Sequence, residues 1–204
     1  CTFLVDLAEG KKSLPDPPIA SIGYQASIVI TPQQEADMDI KATLNNLLIP
    51  YTSNYAGTLL PGIREYTVTP GEKTTTISGK GKAGLKQEEN YYFFYLPVCY
   101  KGITGKSYAY YNTSRSKNLY LPASVNENYS YDIQLPENLT LCTPIQEKKI
   151  DNPIGSFKIT LTSEGSSLHI ELALQIKKQL ITPAEYPAFR SLITEWTDRN
   201  RKPT

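Results

Sequence analysis

The chain has 204 residues, enough for one sizeable core or two small ones. Its 21 Lys+Arg against 20 Asp+Glu leave a net charge of +1, so no whole-chain field draws it to nucleic acid or to an anionic membrane. Fifteen Tyr, fifteen Pro and a single Met favour strands and turns over helices.

In chain order, Thr2 to Val5 reads as a short apolar strand and Ala8 to Lys12 as the turn after it. Pro15, Pro17 and Pro18 make the next segment an extended linker, so residues 1–23 read as a lead-in and 24–204 as the domain proper. Tyr24 to Ile30 and Ala36 to Leu44 are strand candidates, Leu47 to Tyr51 is short and apolar, and Asn54 to Gly62 is a loop. Tyr66 to Thr69 and Thr74 to Ser78 form a hairpin closed by Pro70-Gly71. Gly79 to Asn90, rich in glycine and charge, reads as a connection. Tyr91 to Leu96 is apolar or aromatic on both faces, which predicts a central strand covered on both sides. Lys117 to Leu121 is a short strand. Tyr129, Tyr131, Ile133 and Leu135 alternate with polar residues, Pro136 to Asn138 turns toward Leu139 and Leu141, and Phe157, Ile159 and Leu161 alternate again before a Glu164-Gly165 turn.

The last stretch is the most explicit. Leu168, Ile170, Leu172, Leu174 and Ile176 lie on one face of a strand, with His169, Glu171, Gln175 and Lys177 on the other. Thr182-Pro183-Ala184-Glu185 then has the form of a helix start: Thr182 to cap the first amides, Pro183 at the first helical position, Glu185 to reach back. Because Pro187 removes one early bond, the regular part is expected nearer Tyr186. Tyr186, Phe189, Ile193 and Trp196 make one apolar stripe, and Arg199, Arg201 and Lys202 suit the negative end of a helix over 183–201. The expected fold is mostly β: an antiparallel β-sandwich with one C-terminal amphipathic helix packed on a sheet.

No run approaches the roughly 18 apolar residues of a membrane span, and no basic-then-apolar secretory leader opens the chain. Cysteines at 1, 99 and 142 allow either buried thiols or one Cys99–Cys142 bridge, and no metal knuckle. Cys1 could act as an N-terminal nucleophile using its own α-amine, but Pro15 to Pro18 stand where that hairpin's second strand belongs. Gly79-Lys-Gly-Lys-Ala-Gly84 matches a phosphate-loop spacing, yet a strand follows it where a helix is required. His169 and Glu171 share a strand face, as do Asp37 and Asp39; both pairs read as solvated faces. The tyrosines at 91, 92, 95, 100, 108, 110 and 111 could form an aromatic platform for sugar or peptide, with Tyr108, Tyr110 and Tyr111 the candidate ligand-binding residues. Catalytic, metal and cofactor sites are not expected.

One resemblance adds to this reading. Tyr129-Ser-Tyr-Asp-Ile-Gln-Leu-Pro136, Ile154-Gly-Ser-Phe157, Leu168-His-Ile-Glu-Leu172 and Ile181-Thr-Pro-Ala-Glu-Tyr-Pro-Ala-Phe-Arg190 resemble the C-terminal region of secreted bacterial proteins. In those proteins an N-terminal β-domain and a transglutaminase-like, cysteine-protease-type core precede a C-terminal β-domain. The resemblance implies a non-catalytic accessory domain, secreted, periplasmic or at the cell surface, whose partner is the upstream core of the same protein. The Cys, His and Asp of such a core have no match here, so no catalytic residue is carried over. Two alternatives stand beside it: an independent carbohydrate- or protein-binding adhesion domain, and the Cys1 hydrolase.

Overall fold

The computed structural model describes residues 2–7, 34–45, 60, 62–88, 91–98, 103, 114–121, 123–142 and 146–197. The expected strand over Tyr24 to Ile30, the apolar stretch Leu47 to Tyr51, the Pro-rich linker, Cys1, Cys99 and Tyr108, Tyr110 and Tyr111 lie outside the described residues. Among the described residues the fold is mostly β and antiparallel, with a C-terminal helix, as the residue alternation predicts.

Strands β1 (Thr2–Leu7), β2 (Gln34–Asn45), β3 (Ile63–Pro70), β4 (Thr74–Glu88) and β5 (Tyr91–Tyr95) come first. β6 (Leu119–Tyr120), β7 (Val125–Gln134), β8 (Leu139–Leu141) and β9 (Gln146–Asn152) follow. β10 (Gly155–Glu164), β11 (Ser167–Ile176), β12 (Leu180–Ile181) and helix α1 (Tyr186–Thr197) complete the order. The main sheet runs β8-β1-β5-β4-β2-β7-β11-β10-β9, with β3 on the free side of β4, and β6 and β12 form a separate ribbon.

Strand β4 is the hinge of this arrangement. Thr74 to Leu85 pair with β2, whereas Lys86 to Glu88 pair with β5, so one strand passes from the large layer into the small layer of β5, β1 and β8. A strand that switches layers makes the corner of a sandwich. Its glycine-rich half is therefore ladder and not the connection expected. Gly79 and Gly81 are needed there because β3 crosses close: a Cβ on Gly79 would stand 2.0 Å from the Glu65 carbonyl oxygen, and one on Gly81 2.3 Å from that of Gly62. The phosphate-loop spacing is thus a close backbone crossing, paired to Ile40 and Tyr66 at Gly79 and to Met38 and Ile63 at Gly81. The Pro70-Gly71 hairpin forms as expected, with the Gly71 amide donating to the Thr74 carbonyl at 2.7 Å.

The inward face of the large layer is apolar apart from Glu127 and Thr75: Ala36, Met38, Ile40, Ala42 and Leu44 from β2, Tyr129, Tyr131 and Ile133 from β7, and the even-numbered residues of β11 from Leu168 to Ile176. Period-two alternation puts them there. α1 covers the β10–β11 end of this surface. Trp196 sits at 5.9 Å from the Tyr129 ring and edge-on to Phe157 at 6.4 Å. Its stripe is the expected Tyr186, Phe189, Ile193 and Trp196 with Leu192 added. Tyr131 reaches the other layer, its hydroxyl donating to the Pro97 carbonyl at 2.8 Å.

The start of α1 corrects one expectation and bears out another. Residues 183–185 form turns, and the regular helix begins at Tyr186 and is described to Thr197, inside the 183–201 expected. Glu185 reaches back as anticipated, accepting from the Thr182 amide at 3.1 Å and hydroxyl at 3.0 Å. The Thr182 hydroxyl is thereby a donor to Glu185 and not a cap for the helix amides. Hydrogen bonds from Lys178, then from Thr182, hold the Glu185 carboxyl at a pKa of about 2.

Two further elements were not expected. β9 pairs along β10 although its Glu147-Lys148-Lys149 run shows no alternation, and Leu180-Ile181 pairs with Leu119-Tyr120. β5 also departs from expectation. Tyr92 and Phe94 are buried, but Tyr91 and Tyr95 are 40% and 50% exposed, so the strand is covered on one side only.

Candidate functional site: the polar face around His169

The outward face of the large layer is polar, and strand pairing orders its side chains into rows. One row runs Glu65, Lys80, Asp39, Asp132, His169, Thr162 across β3, β4, β2, β7, β11 and β10. It crosses a shallow depression of about 950 Å³ that also takes in Asp37, Gln134, Glu164 and Ser167. Asp37 pairs with Lys82 on the next strand.

His169 is the one histidine of the chain, and its surroundings define what it can do. Its Nδ1 lies 2.7 Å from Asp132 Oδ1, and its Nε2 lies 3.7 Å from Glu171 Oε1. The hydrogen bond to Asp132 raises its pKa most, the charges of Asp132 and Glu171 add to this, and partial burial opposes it. Asp132 was not singled out in the sequence, where it lies 37 residues from His169. The pairing of β7 with β11 brings the two together.

The expected Asp37–Asp39 face is present, but its two carboxylates are engaged differently: Asp37 with Lys82, Asp39 opposite Asp132. Among the described residues no group of three or more His, Cys, Asp or Glu is placed to hold a metal ion. No helix among them is long and apolar enough to cross a membrane. Cys142 is half-buried just past β8.

This geometry carries a pH dependence. A histidine whose folded pKa is raised stabilises the fold fully below its unfolded value near 6.5, and loses that contribution as pH rises through the folded value. The wild-type advantage over His169→Gln is expected to be largest near pH 5.5 and to vanish by pH 9. It should stay below about 1 kcal/mol, because solvent screens an exposed pair. Urea melts of both proteins across that range check it; an advantage that grows with pH contradicts the pairing.

These features define a β-sandwich module with a solvated, charge-laddered face. The comparisons place it further. Residues 90–204, more than half of the chain, match the family described as a domain of unknown function with a solved structure, DUF3858. The chain belongs to that family. A crystal structure of a presumed protease from Parabacteroides distasonis is similar to it at 35% identity over 50% of this chain, with a TM-score of 0.48; the match spans 20% of that protein. No curated protein matches.

Proposed function

We propose that the chain is a non-catalytic accessory domain of a larger secreted or periplasmic protein with a transglutaminase-like core, and that it docks on that core. The observation that carries this reading is the carboxylate on each side of His169. A histidine acting as general base keeps one ring nitrogen for the nucleophile's proton and gives the other to an orienting acid. Here Asp132 takes Nδ1 and Glu171 faces Nε2, so the imidazole is a charge partner in a ladder. The resemblance over Tyr129 to Trp196 supports the choice of partner, and the polar outer face supports docking through charged and hydrogen-bonding groups.

The test uses the native polypeptide and a glutamine-donor, amine-acceptor transfer assay. Transfer sensitive to thiol alkylation, unchanged by His169→Ala, is the expected result. Loss of transfer on His169→Ala overturns the reading, as does transfer catalysed by the 204-residue chain alone.

A further inference from the structure

The outward side of β5 carries three aromatic side chains in a row. Tyr91 and Tyr95 are 40% and 50% exposed, and Phe93 lies half-buried between them. Alternate residues of a strand lie on one face about 6.6–6.8 Å apart, so the row is about 13 Å long. Lys86 of β4, paired opposite Phe93, shares that face and places its ammonium 5.7 Å from the centre of the Tyr95 ring.

We propose that Tyr91, Phe93 and Tyr95 form a stacking platform for a glycan chain, with Lys86 donating to sugar hydroxyls at its side. A sugar ring has an apolar C–H face and a hydroxyl rim. The platform presents the complement: aromatic faces for the C–H surface, phenol hydroxyls and an ammonium for the rim. Its dimensions separate this ligand from others. Three partly exposed side chains fall far short of the ~800 Å² per partner that a stable protein interface buries. Single-stranded nucleic acid also stacks on aromatics, but it is held by a positively charged groove along its phosphates, and Lys86 is the one cation placed over these rings among the described residues.

The test is affinity electrophoresis of the 204-residue chain through gels each containing one soluble polysaccharide: hydroxyethylcellulose, xylan, mannan, laminarin or pullulan. At least one is expected to retard the wild type. Tyr91→Ala and Tyr95→Ala should each weaken that binding by about three- to tenfold, and the double variant should migrate as in plain gel. Tyr120→Ala, which removes a tyrosine 67% exposed on the β6–β12 ribbon, should bind as wild type. Circular dichroism verifies that each variant is folded. Free migration of the wild type in all five gels overturns the proposal, and so does retardation that survives the folded double variant. The platform does not depend on an upstream core, so either failure leaves the accessory-domain reading to its own test.

Discussion

Replacing Trp196 with alanine is expected to destabilise the fold by about 3–5 kcal/mol, the range for emptying a buried aromatic site. For a domain whose whole stability is of order 5–15 kcal/mol, such a loss leaves little margin. The size follows from position. Trp196 is 4% exposed, lies against Tyr129 and edge-on to Phe157, and joins α1 to β7 and β10 at once. Truncation removes ring area that neither strand can fill, because both are held in register on two sides. Trp196→Phe should lose far less, since the indole N–H meets no hydrogen-bond partner among the described residues and its removal strands nothing. Thermal unfolding of the two variants separates these effects. Equal losses for Ala and Phe would show that the indole nitrogen, not the packing, holds the helix.

The second large effect is expected at Glu127, a carboxylate only 3% exposed in a layer of apolar side chains. It accepts the Tyr129 hydroxyl at 3.0 Å and the backbone amide of Ile103. Beside it, burial and then the Glu127 charge push the Tyr131 phenol well above its ordinary pKa. A buried charge is tolerated only when donors surround it, and donors left behind without it are themselves expensive. Glu127→Ala strands two of them, so a loss of about 2–5 kcal/mol is expected. The effect also has an address. Amide exchange at Ile103 should accelerate more than exchange at Ile159 in the centre of β10. Uniform acceleration across both sites would mean that Glu127 supports the whole core and does not pin residue 103 in particular.

How much of this was legible in the sequence depended on whether the determining contacts are local. β2, β7, β10 and β11 could be read because period-two alternation of Ile, Leu and Tyr against charged residues is written in consecutive positions. The α1 stripe could be read for the same reason at period three to four. Glu185 reached back as expected because its partner is three residues away. Where partners are distant, the reading failed or stopped short. Gly79 and Gly81 looked like a connection because nothing nearby reveals that β3 crosses over them. β9 carries too many charges to read as a strand, and only its pairing with β10 makes it one. Tyr91 to Tyr95 has no polar residue to mark its exposed side, so a one-sided strand read as a two-sided one. His169 and Glu171 were visible as a pair, but Asp132 joined them only through the register of β7 on β11.

The central claim is that this domain serves a catalytic core carried by the same polypeptide. The most direct test is the intact mass of the native gene product recovered from its own host. A mass far above the 22.8 kDa of this chain, with thiol-dependent transfer activity assigned to residues outside it, is the predicted result. A native product of 22.8 kDa beginning at Cys1 would contradict the account and turn attention to that cysteine.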